Sequence, residues 1–331
     1  MPPDGRPAGA GPRVVASRYN QGMNRTFVNL DGSLVAPQDA KISVLDRGFL
    51  YGDSVYEVVR TYGGAPFELD AHLARLASSA SRIGLSPKWD AARTRVEIDR
   101  TLAASRAHGT DAPDPQAAPW NRGERYIRVV MTRGAGEIGL DPALAIDPVA
   151  VVIVQPLHGP PARAYVEGVK VAVVGVQRPS PLALDPAAKT GAHLSHVLAV
   201  KEAREAGADE ALLLDEQGFV TEGSSSNVFA VEEGKLRTPP LGAGILEGVT
   251  RGIVLRLARE ERLAVEEMPL TPGDLARADE LFITSTQREI LPVARLGERP
   301  VGAGRPGPVT SALHRAFRRV AGGPVRVSER R

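Results

Sequence analysis

The sequence predicts a mixed α/β protein of two domains, and three features carry this prediction. The chain has 331 residues, a length that favours two domains of about 130 to 150 residues each. Strand-like and amphipathic helical stretches occur in both halves. A stiff Pro-rich segment, Pro156 to Arg163, separates the halves. We therefore expect a disordered extension at 1–22, a smaller α/β domain at 23–156, a linker at 157–166, a larger α/β domain at 167–298 and an Arg-, Gly- and Pro-rich extension at 299–331.

The composition excludes several classes of function. Hydrophobic residues make up 43% of the chain, enough for sizeable cores, and the formal net charge is only +2, which argues against a nucleic-acid-binding protein. The absence of cysteine excludes disulfides, Cys-ligated metals and thiol nucleophiles, and the six scattered histidines lack metal-ligand spacing. No apolar run reaches membrane-spanning length, and the N-terminus has no hydrophobic signal segment. We expect a soluble cytoplasmic protein with no metal, nucleic-acid or membrane partner.

The first elements follow from turn residues and alternation. The stretch 27–35 predicts a β-hairpin around an Asp-Gly turn. The stretch 55–62 alternates like a strand, with Tyr56, Val58 and Arg60 on one face. That face suits a small carboxylate, because Arg offers paired donors and Tyr an amphipathic wall. An edge strand with a solvated Arg is the alternative.

The next segment predicts a helix from Leu69 to about Ala80, with Asp70 as its candidate N-cap. His72 and Arg75 are three residues apart and therefore lie on the same side of the helix. Taken alone, each would be interpreted as a surface residue.

A further amphipathic helix and two strands complete this half, over 89–108, 125–134 and 148–154, with a Pro-rich loop at 112–119. Tyr126 and Arg128 share one face of the first of these strands. They form a second Tyr/Arg pair, which suits the capture of a carboxylate.

Two polar stretches stand out in the C-terminal half. Lys189 follows two alanines and precedes a helix predicted over 194–206, so its small neighbours leave room beside the amine. Thr221 to Asn227 places Glu222 and several hydroxyls between an apolar run that ends at Leu214 and a second run that begins at Val228. A carboxylate and hydroxyls between two buried strands are poor material for a core, and we interpret them as a site.

A Gly-rich loop from Leu241 opens a helix predicted over 249–260. Free backbone N–H groups at a helix start, with Thr250 beside them, form a natural phosphate site, and the loop lacks the Walker pattern of nucleotide hydrolysis. The remaining predicted elements are a strand at 168–176, a helix start at 270–275, two strands around a hydroxyl-rich turn at 280–293, and a helix at 309–320 whose Arg-rich flanks we interpret as a solvated tail.

Together these residues fit an enzyme that uses pyridoxal 5′-phosphate. Lys189 would supply the primary amine that attaches to the cofactor. Glu222 would pair with the ring nitrogen, so that the ring acts as an electron sink. The phosphate would need Arg75 with the backbone and hydroxyl groups of Val249, Thr250 and Thr286.

The sequence resembles the class IV aminotransferases of pyridoxal phosphate fold type IV over about residues 26–297. This group includes branched-chain, D-amino acid and (R)-selective amine aminotransferases and aminodeoxychorismate lyase. The matching pieces, in family order and spacing, are Asp46-Arg47-Gly48 with Tyr51-Gly52-Asp53, His72-Leu73-x-Arg75-Leu76, Lys189-Thr190, Thr221 to Phe229, Ile245-Leu246-x-Gly248-Val249-Thr250-Arg251, and Thr286-x-x-Glu289-Ile290-x-Pro292-Val293.

The resemblance implies a two-domain α/β fold with the cofactor between the domains, and a homodimer whose active sites take loops from both subunits. It implies transfer of an amino group from an amino acid to a 2-oxo acid, such as 2-oxoglutarate or pyruvate, with Lys189 moving the proton as general acid and base. The implied cofactor-binding residues are Arg75, Lys189, His193, Glu222, Ser224, Ser225, Val249, Thr250 and Thr286. The implied substrate-binding residues are Tyr51, Tyr56, Arg60, Tyr126, Arg128 and Gln287.

The chain departs from the family pattern at three points. His193 stands where a Tyr is often found near the cofactor hydroxyl, and it either tunes the attached amine or merely packs. Val58 replaces the Gly that is usual in branched-chain enzymes, although the two Tyr/Arg pairs resemble that group. The Arg-x-His pair of well-known D-amino acid enzymes is absent, since Gly136-Glu137-Ile138 follows Gly134.

We expect a D-amino acid or broad-range aminotransferase, with (R)-amines as a further donor class, ahead of a branched-chain L-amino acid enzyme. A lyase is the next alternative, against which the two Tyr/Arg strands argue. A cofactor carrier without catalysis would not need Lys189.

Overall fold

The computed structural model describes residues 25–107 and 117–322. The predicted extension at 1–22, the helix end at His108, most of the Pro-rich loop and residues 323–331 lie outside the described residues. Two β-sheets organise the described chain.

The first sheet contains six strands and is accompanied by three helices. The strands are β1 (Phe27–Leu30), β2 (Ser33–Val35), β3 (Ser54–Tyr62), β4 (Ala65–Pro66), β5 (Arg125–Gly136) and β6 (Ala145–Pro156), and the helices are α1 (Arg47–Tyr51), α2 (Leu69–Arg82) and α3 (Ala91–Ala107). The strand order is β2-β1-β6-β5-β3-β4, with every pair antiparallel. Helix α2 packs on β3, and α3 packs on β1 and β6.

The predicted alternation of β3 is confirmed. Val55 and Val59 enter the core between this sheet and its helices, while Tyr56 and Val58 face the opposite side, towards a cavity. The predicted N-cap of α2 is wrong, because the cap position is Glu68, which has φ 52° and makes no side-chain cap bond. The hairpin prediction is confirmed by the antiparallel pairing of β1 with β2.

The second sheet contains nine strands and carries five helices. The strands are β7 (Val169–Val173), β8 (Glu210–Leu214), β9 (Val220–Gly223), β10 (Asn227–Glu232), β11 (Lys235–Thr238), β12 (Val265–Glu267), β13 (Glu280–Ser285), β14 (Glu289–Leu296) and β15 (Arg299–Pro300), and the helices are α4 (Ala162–Glu167), α5 (Leu194–Glu205), α6 (Val249–Glu260), α7 (Pro272–Arg277) and α8 (Pro308–Val320). The order is β12-β11-β10-β13-β14-β7-β8-β9, with β15 on β14. Three pairs are parallel, namely β11 with β12, β14 with β7, and β7 with β8.

Three segments differ from the sequence-based expectation. The polar stretch begins with a strand, because Val220 to Gly223 pairs with β8. The expected linker contains α4, whose Tyr165 packs into the core of the second sheet. The helix predicted over 309–320 is confirmed as α8, but it packs into the core, where Leu313 and Phe317 are buried, and does not belong to a solvated extension. Its Arg318 is also buried rather than solvated, because it pairs with a carboxylate of the core.

The two sheets meet where β3 contacts the segment that contains Lys189. The N–H of Tyr56 donates to the carbonyl of Lys189 at 3.0 Å, and the N–H of Gly191 donates to the carbonyl of Ser54 at 2.9 Å. These two backbone hydrogen bonds fix the position of Lys189 along β3. The lysine therefore lies at the junction of the two sheets.

Candidate active site

A cavity of about 510 Å³ lies between the two sheets. It brings together thirteen of the predicted site residues. These are Tyr56, Arg75, Tyr126, Arg128, Lys189, His193, Glu222, Ser224, Ser225, Val249, Thr250, Thr286 and Gln287. The other two, Tyr51 and Arg60, are not among its lining residues.

Lys189 is fixed by its backbone and presents its amine to the cavity. Its N–H donates to Oγ of Ser79 at 3.0 Å, and its Nζ lies over the Tyr56 ring, 4.4 Å from the centroid. Gly191 permits the close approach to β3, because a Cβ there would stand 2.2 Å from Oγ of Ser54. Within the described chain no carboxylate pairs with this lysine, so the amine rests against an aromatic face.

The start of α6 forms one end of the cavity. Val249 and Thr250 begin the helix, and its N-cap, Gly248, supplies no side-chain cap. A Cβ at Gly248 would stand 2.0 Å from Oδ1 of Asn227, so the backbone comes this close only with glycine. Unpaired N–H groups and the helix dipole favour an anion at this point.

Arg75 lies at the same end and is held by a glutamate that the sequence analysis did not single out. Glu57 accepts from Nε and Nη2 of Arg75 at 2.6 and 2.8 Å, and His72 Nδ1 lies 2.8 Å from the same carboxylate. Burial alone would raise the pKa of Glu57, but the bonds from Arg75 and His72 lower it to about 2. An acidic residue between two core valines was the available signal, since a buried carboxylate requires partners.

Glu222 lies on β9 in a different environment. It accepts from the N–H of Leu246 at 3.0 Å and from Asn227 Nδ2 at 3.3 Å, and its Oε1 lies 3.0 Å from Nη2 of Arg178. Burial raises the pKa of Glu222, and the charge of Arg178 opposes this only in part. No sequence pattern pointed to Arg178, which reaches Glu222 from the segment between β7 and Lys189.

His193 is a neutral imidazole at physiological pH. Burial, followed by the charges of Lys189 and Arg128, lowers its pKa to about 4. Its ring meets that of Tyr56 edge-on, with the centroids 4.9 Å apart. His193 therefore adds no positive charge beside the lysine.

The serines after Glu222 are held by a second carboxylate. Both Ser224 and Ser225 donate their hydroxyls to Glu210, to which the guanidinium of Arg288 also donates. Glu210 is buried and was not singled out from the sequence. The hydroxyls therefore retain only their acceptor lone pairs for a ligand in the cavity.

The opposite wall of the cavity comes from β3 and β5. Tyr56, Val58, Tyr126 and Arg128 line it, and the Arg128 guanidinium lies over the Tyr56 ring, 4.1 Å from the centroid. The other arginines of the lining are Arg75, Arg178 and Arg288, each paired with a carboxylate. Within the described residues Arg128 has no carboxylate partner, so its guanidinium can donate to the carboxylate of a ligand.

The two predicted site residues that do not line the cavity have other surroundings. Arg60 is fully buried and pairs with Glu289 at 3.1 Å, which corrects its assignment as a residue that touches substrate. Its pairing with this partner on β14 keeps its guanidinium out of the cavity that Tyr56 and Val58 line. Tyr51, on α1, is 38% exposed and contacts Arg47.

The chain is similar to known aminotransferases over most of its length. Residues 54–296 match the family model described as amino-transferase class IV. A Methanocaldococcus jannaschii protein, whose name assigns it provisionally to the branched-chain-amino-acid aminotransferases, is 41% identical over 88% of this chain and 95% of its own length. The branched-chain-amino-acid aminotransferase of Pseudomonas aeruginosa is 35% identical over 87% and 90%. The D-alanine aminotransferase of Bacillus licheniformis is 32% identical over 88% and 95%.

Solved structures give the same picture. The branched-chain aminotransferase of Thermoproteus uzoniensis with norvaline superposes with a TM-score of 0.78 at 33% identity, covering 89% of this chain and 94% of that one. The T.th. branched-chain amino acid aminotransferase with pyridoxamine 5′-phosphate superposes with a TM-score of 0.79 at 30% identity and the same coverage. Among the described residues no helix has the length and apolar character to cross a membrane.

Proposed function

The chain belongs to the class IV aminotransferase family, and we propose that it transfers amino groups with pyridoxal 5′-phosphate held on Lys189. Its activity is that of a transaminase. The observation that supports the cofactor is the meeting of three groups in one cavity: the amine of Lys189, the buried carboxylate of Glu222, and the uncapped start of α6.

The residues present fit this cofactor at both of its charged ends. The start of α6 and the guanidinium of Arg75 suit a phosphate. Glu222 suits a protonated ring nitrogen, because burial raises its pKa and so favours a proton shared with a partner. When bound, the cofactor supplies an aldehyde that carries the amino group and a ring that withdraws electrons.

Lys189 has two roles in this proposal. Its amine would hold the cofactor, and the same amine, once free, would move the proton at the substrate α-carbon. The contact of Nζ with the Tyr56 ring keeps the amine at the cavity wall without a fixed acceptor. Neutral His193 beside it adds no opposing charge.

We assign the substrate carboxylate to Arg128. It is the cavity arginine without a carboxylate partner in the described chain. Its guanidinium is oriented by the Tyr56 ring, and Tyr126 lies on the same strand face. A bidentate Arg–carboxylate pair in this position would orient amino acid and 2-oxo acid alike.

For the donor we propose a branched-chain L-amino acid ahead of a D-amino acid, which reverses the order expected from the sequence. Two of the three relatives described above are named as branched-chain enzymes, as are both solved structures. In addition, Arg133 on β5 bonds to Asp53 and to two carbonyls and does not line the cavity, so it does not replace the missing Arg-x-His pair. The D-amino acid alternative is favoured by Val58 and by the likeness to a D-alanine enzyme.

One experiment tests the donor assignment. The yellow cofactor-loaded protein is mixed separately with D- and L-alanine, D- and L-leucine and (R)-1-phenylethylamine, and the loss of the yellow absorbance is followed. We expect L-leucine to react fastest. Faster reaction with either D-amino acid would reverse the order of the two candidates.

A second experiment tests the attachment site. Borohydride reduction of the loaded protein followed by peptide mapping should place the reduced cofactor on Lys189. Its recovery on another lysine, or on none, would contradict the proposal.

We also propose that the enzyme is a homodimer. Large apolar side chains are exposed on α1, on α5 and in the segment before Lys189, including Phe49, Leu182, Leu194 and Val197 at 67%, 99%, 73% and 61%. Exposed apolar surface of this extent is typical of a subunit interface. Tyr51 is exposed on the same helix as Phe49, so it would lie in this interface. Light scattering should give twice the chain mass, and a monomer that is fully active would refute this assignment.

A further inference from the structure

The turn from Thr286 to Arg288 carries two predicted site residues into the cavity between β13 and β14. Side chains that do not line the cavity hold this turn through its carbonyl groups. Arg60 Nη1 donates to the carbonyl of Gln287 at 3.4 Å, and the hydroxyl of Tyr165 donates to the carbonyl of Arg288 at 3.0 Å. Because these bonds hold the backbone, they determine where the turn lies.

The next residue, Glu289, is the centre of a buried charge cluster. Its carboxylate is fully buried and accepts from four donors. Oε1 accepts from Arg60, Tyr62 and Arg318 at 3.1, 2.8 and 2.8 Å, and Oε2 lies 2.9 Å from Nε2 of His314. The backbone of Glu289 has φ 57°, a left-handed conformation that a residue with a side chain adopts only when its surroundings enforce it.

The cluster contains two buried guanidinium groups against one carboxylate. Aromatic faces accommodate the additional positive charge, since Arg60 lies 4.1 Å from the Tyr62 centroid, and Arg318 lies 5.2 Å from the centroids of both Tyr62 and Trp120. A cluster with this many directional contacts has few alternative arrangements. It can therefore transmit the position of α8 and β3 to the turn.

Helix α8 is itself fixed at its start. The carboxylate of Glu280 accepts from the N–H groups of Val309 and Thr310 at 3.0 and 2.7 Å. A carboxylate at a helix N-terminus also interacts favourably with the helix dipole. One turn apart on this anchored helix, His314 and Arg318 reach the same glutamate.

We propose that Arg60 and Glu289, supported by α8, are positioning residues that set the turn Thr286 to Arg288 against cofactor and substrate. Arg60 connects the two: one guanidinium contacts both the Glu289 carboxylate and the Gln287 carbonyl. The inference rests on the proposed function, because the turn matters to catalysis only if its residues face cofactor and substrate. It gives Arg60 a role in catalysis through the turn.

The test is the variant Arg60→Lys in the loaded enzyme. Lysine keeps the positive charge near Glu289, but its single nitrogen cannot replace Nε and Nη2 of Arg60, which donate to the carbonyls of Thr61 and Trp120 at 3.4 and 3.3 Å and so fix the guanidinium beside the turn. We expect KM for both substrates to rise roughly tenfold, with a smaller fall in kcat, as for loss of an interaction that positions the substrate. Release of the cofactor on dialysis should also be faster.

Phe317→Leu is the matched control. Phe317 is buried on α8 and packs against the rings of Tyr62 and Phe67, but it makes no polar contact with Glu289. It should lower Tm while KM for both substrates stays within about twofold of wild type. A structural effect alone would give both variants the same pattern.

The inference is overturned if Arg60→Lys lowers Tm but leaves KM and cofactor release as in wild type. If Arg60→Lys does not fold, Arg318→Lys is measured in the same assays, and unchanged KM there overturns the inference equally. Wild-type enzyme without transaminase activity would instead contradict the proposed function, so the two failures are distinguishable.

Discussion

Two buried glutamates flank the cavity, and their carboxyl groups respond to burial in opposite ways. Glu57 lies behind the proposed phosphate end, where Arg75 and His72 bond to it directly and lower its pKa to about 2. Glu222 lies at the proposed ring end, where burial raises its pKa despite the charge of Arg178. Both side chains are buried, so the number and geometry of the cationic donors decide the difference.

The difference indicates two kinds of preparation for a ligand. Glu57 is fully paired within the chain, and its role is to hold Arg75 in place. The charge of Arg178 compensates the burial of Glu222 only in part, and in the proposed function a protonated ring nitrogen would complete the pairing of this carboxylate. In the proposed function, one glutamate therefore orients the site, whereas the other would bind the cofactor directly.

The largest expected effect comes from removing Lys189, since both glutamates are proposed to prepare the site for the cofactor that this lysine would hold. Lys189→Ala should reduce transamination by more than about a thousandfold, because it removes the covalent attachment and the group that moves the proton. Some cofactor should still bind through the phosphate end. Steady-state rates and the absorbance of the bound cofactor measure the two effects. Near-normal turnover in this variant would contradict the role of Lys189 and, with it, the roles proposed for Glu57 and Glu222.

The next effect concerns Glu57, the glutamate behind the proposed phosphate end. Glu57→Gln leaves the guanidinium of Arg75 without its charged partner, so the free energy of unfolding should fall by about 3 kcal/mol. Cofactor affinity should fall roughly tenfold as Arg75 loses its orientation. Urea unfolding of the apoprotein and titration with the cofactor measure these quantities.

Glu97→Gln is the matched control for this variant. Glu97 is also a buried glutamate of the first sheet's core, bonded to Asn29 and Arg100 at 2.7 Å each. It does not line the cavity. It should therefore destabilise the protein and leave cofactor affinity unchanged. An equal loss of affinity in both variants would show that Glu57 acts only through stability.

The residues that face the cavity were easier to identify from the sequence than those that hold them. Lys189, Glu222 and the start of α6 lie in local patterns that a reader can recognise, namely small neighbours, a polar stretch between strands, and a Gly-rich helix start. Glu57 and Glu210 act across long sequence separations, through Arg75 and Arg288. No local pattern reports such a contact.

Arg60 illustrates the limit of periodicity. Alternation placed it on the strand, on the face of Tyr56 and Val58, but its partner Glu289 is 229 residues away. The same limit applies to α8, whose Arg-rich flank suggested a solvated tail. Its Arg318 enters the core because the Glu289 carboxylate is already there. Charge alone in a sequence does not indicate exposure when the countercharge is distant.

Removing the carboxylate of Glu222 should have an effect that is mainly kinetic, with little change in stability. Glu222→Gln should slow the half-reaction with amino donor by roughly tenfold or more, since a neutral amide cannot stabilise a protonated ring nitrogen. Cofactor affinity should change less, because the phosphate end is intact. Single-turnover absorbance changes measure the rate. Half-reaction rates equal to those of wild type would remove Glu222 from this role.

The smallest effect is the pH dependence of apoprotein stability, where the two glutamates should have opposite signs. The folded pKa of Glu57 lies below its usual 4.5, so its stabilising contribution is present above about pH 4.5 and is lost as the pH falls towards 2. The folded pKa of Glu222 lies above 4.5, so stability due to its protonated form is present below pH 4.5 and is lost as the pH rises through the raised value. Subtracting the urea-unfolding profile of each Gln variant from that of wild type isolates the two contributions. Because added cofactor supplies the proton that Glu222 lacks, it should flatten the pH profile of the Glu222 contribution and leave that of Glu57 unchanged. Slopes of the same sign in the apoprotein would mean that Arg178 compensates Glu222 as fully as Arg75 compensates Glu57.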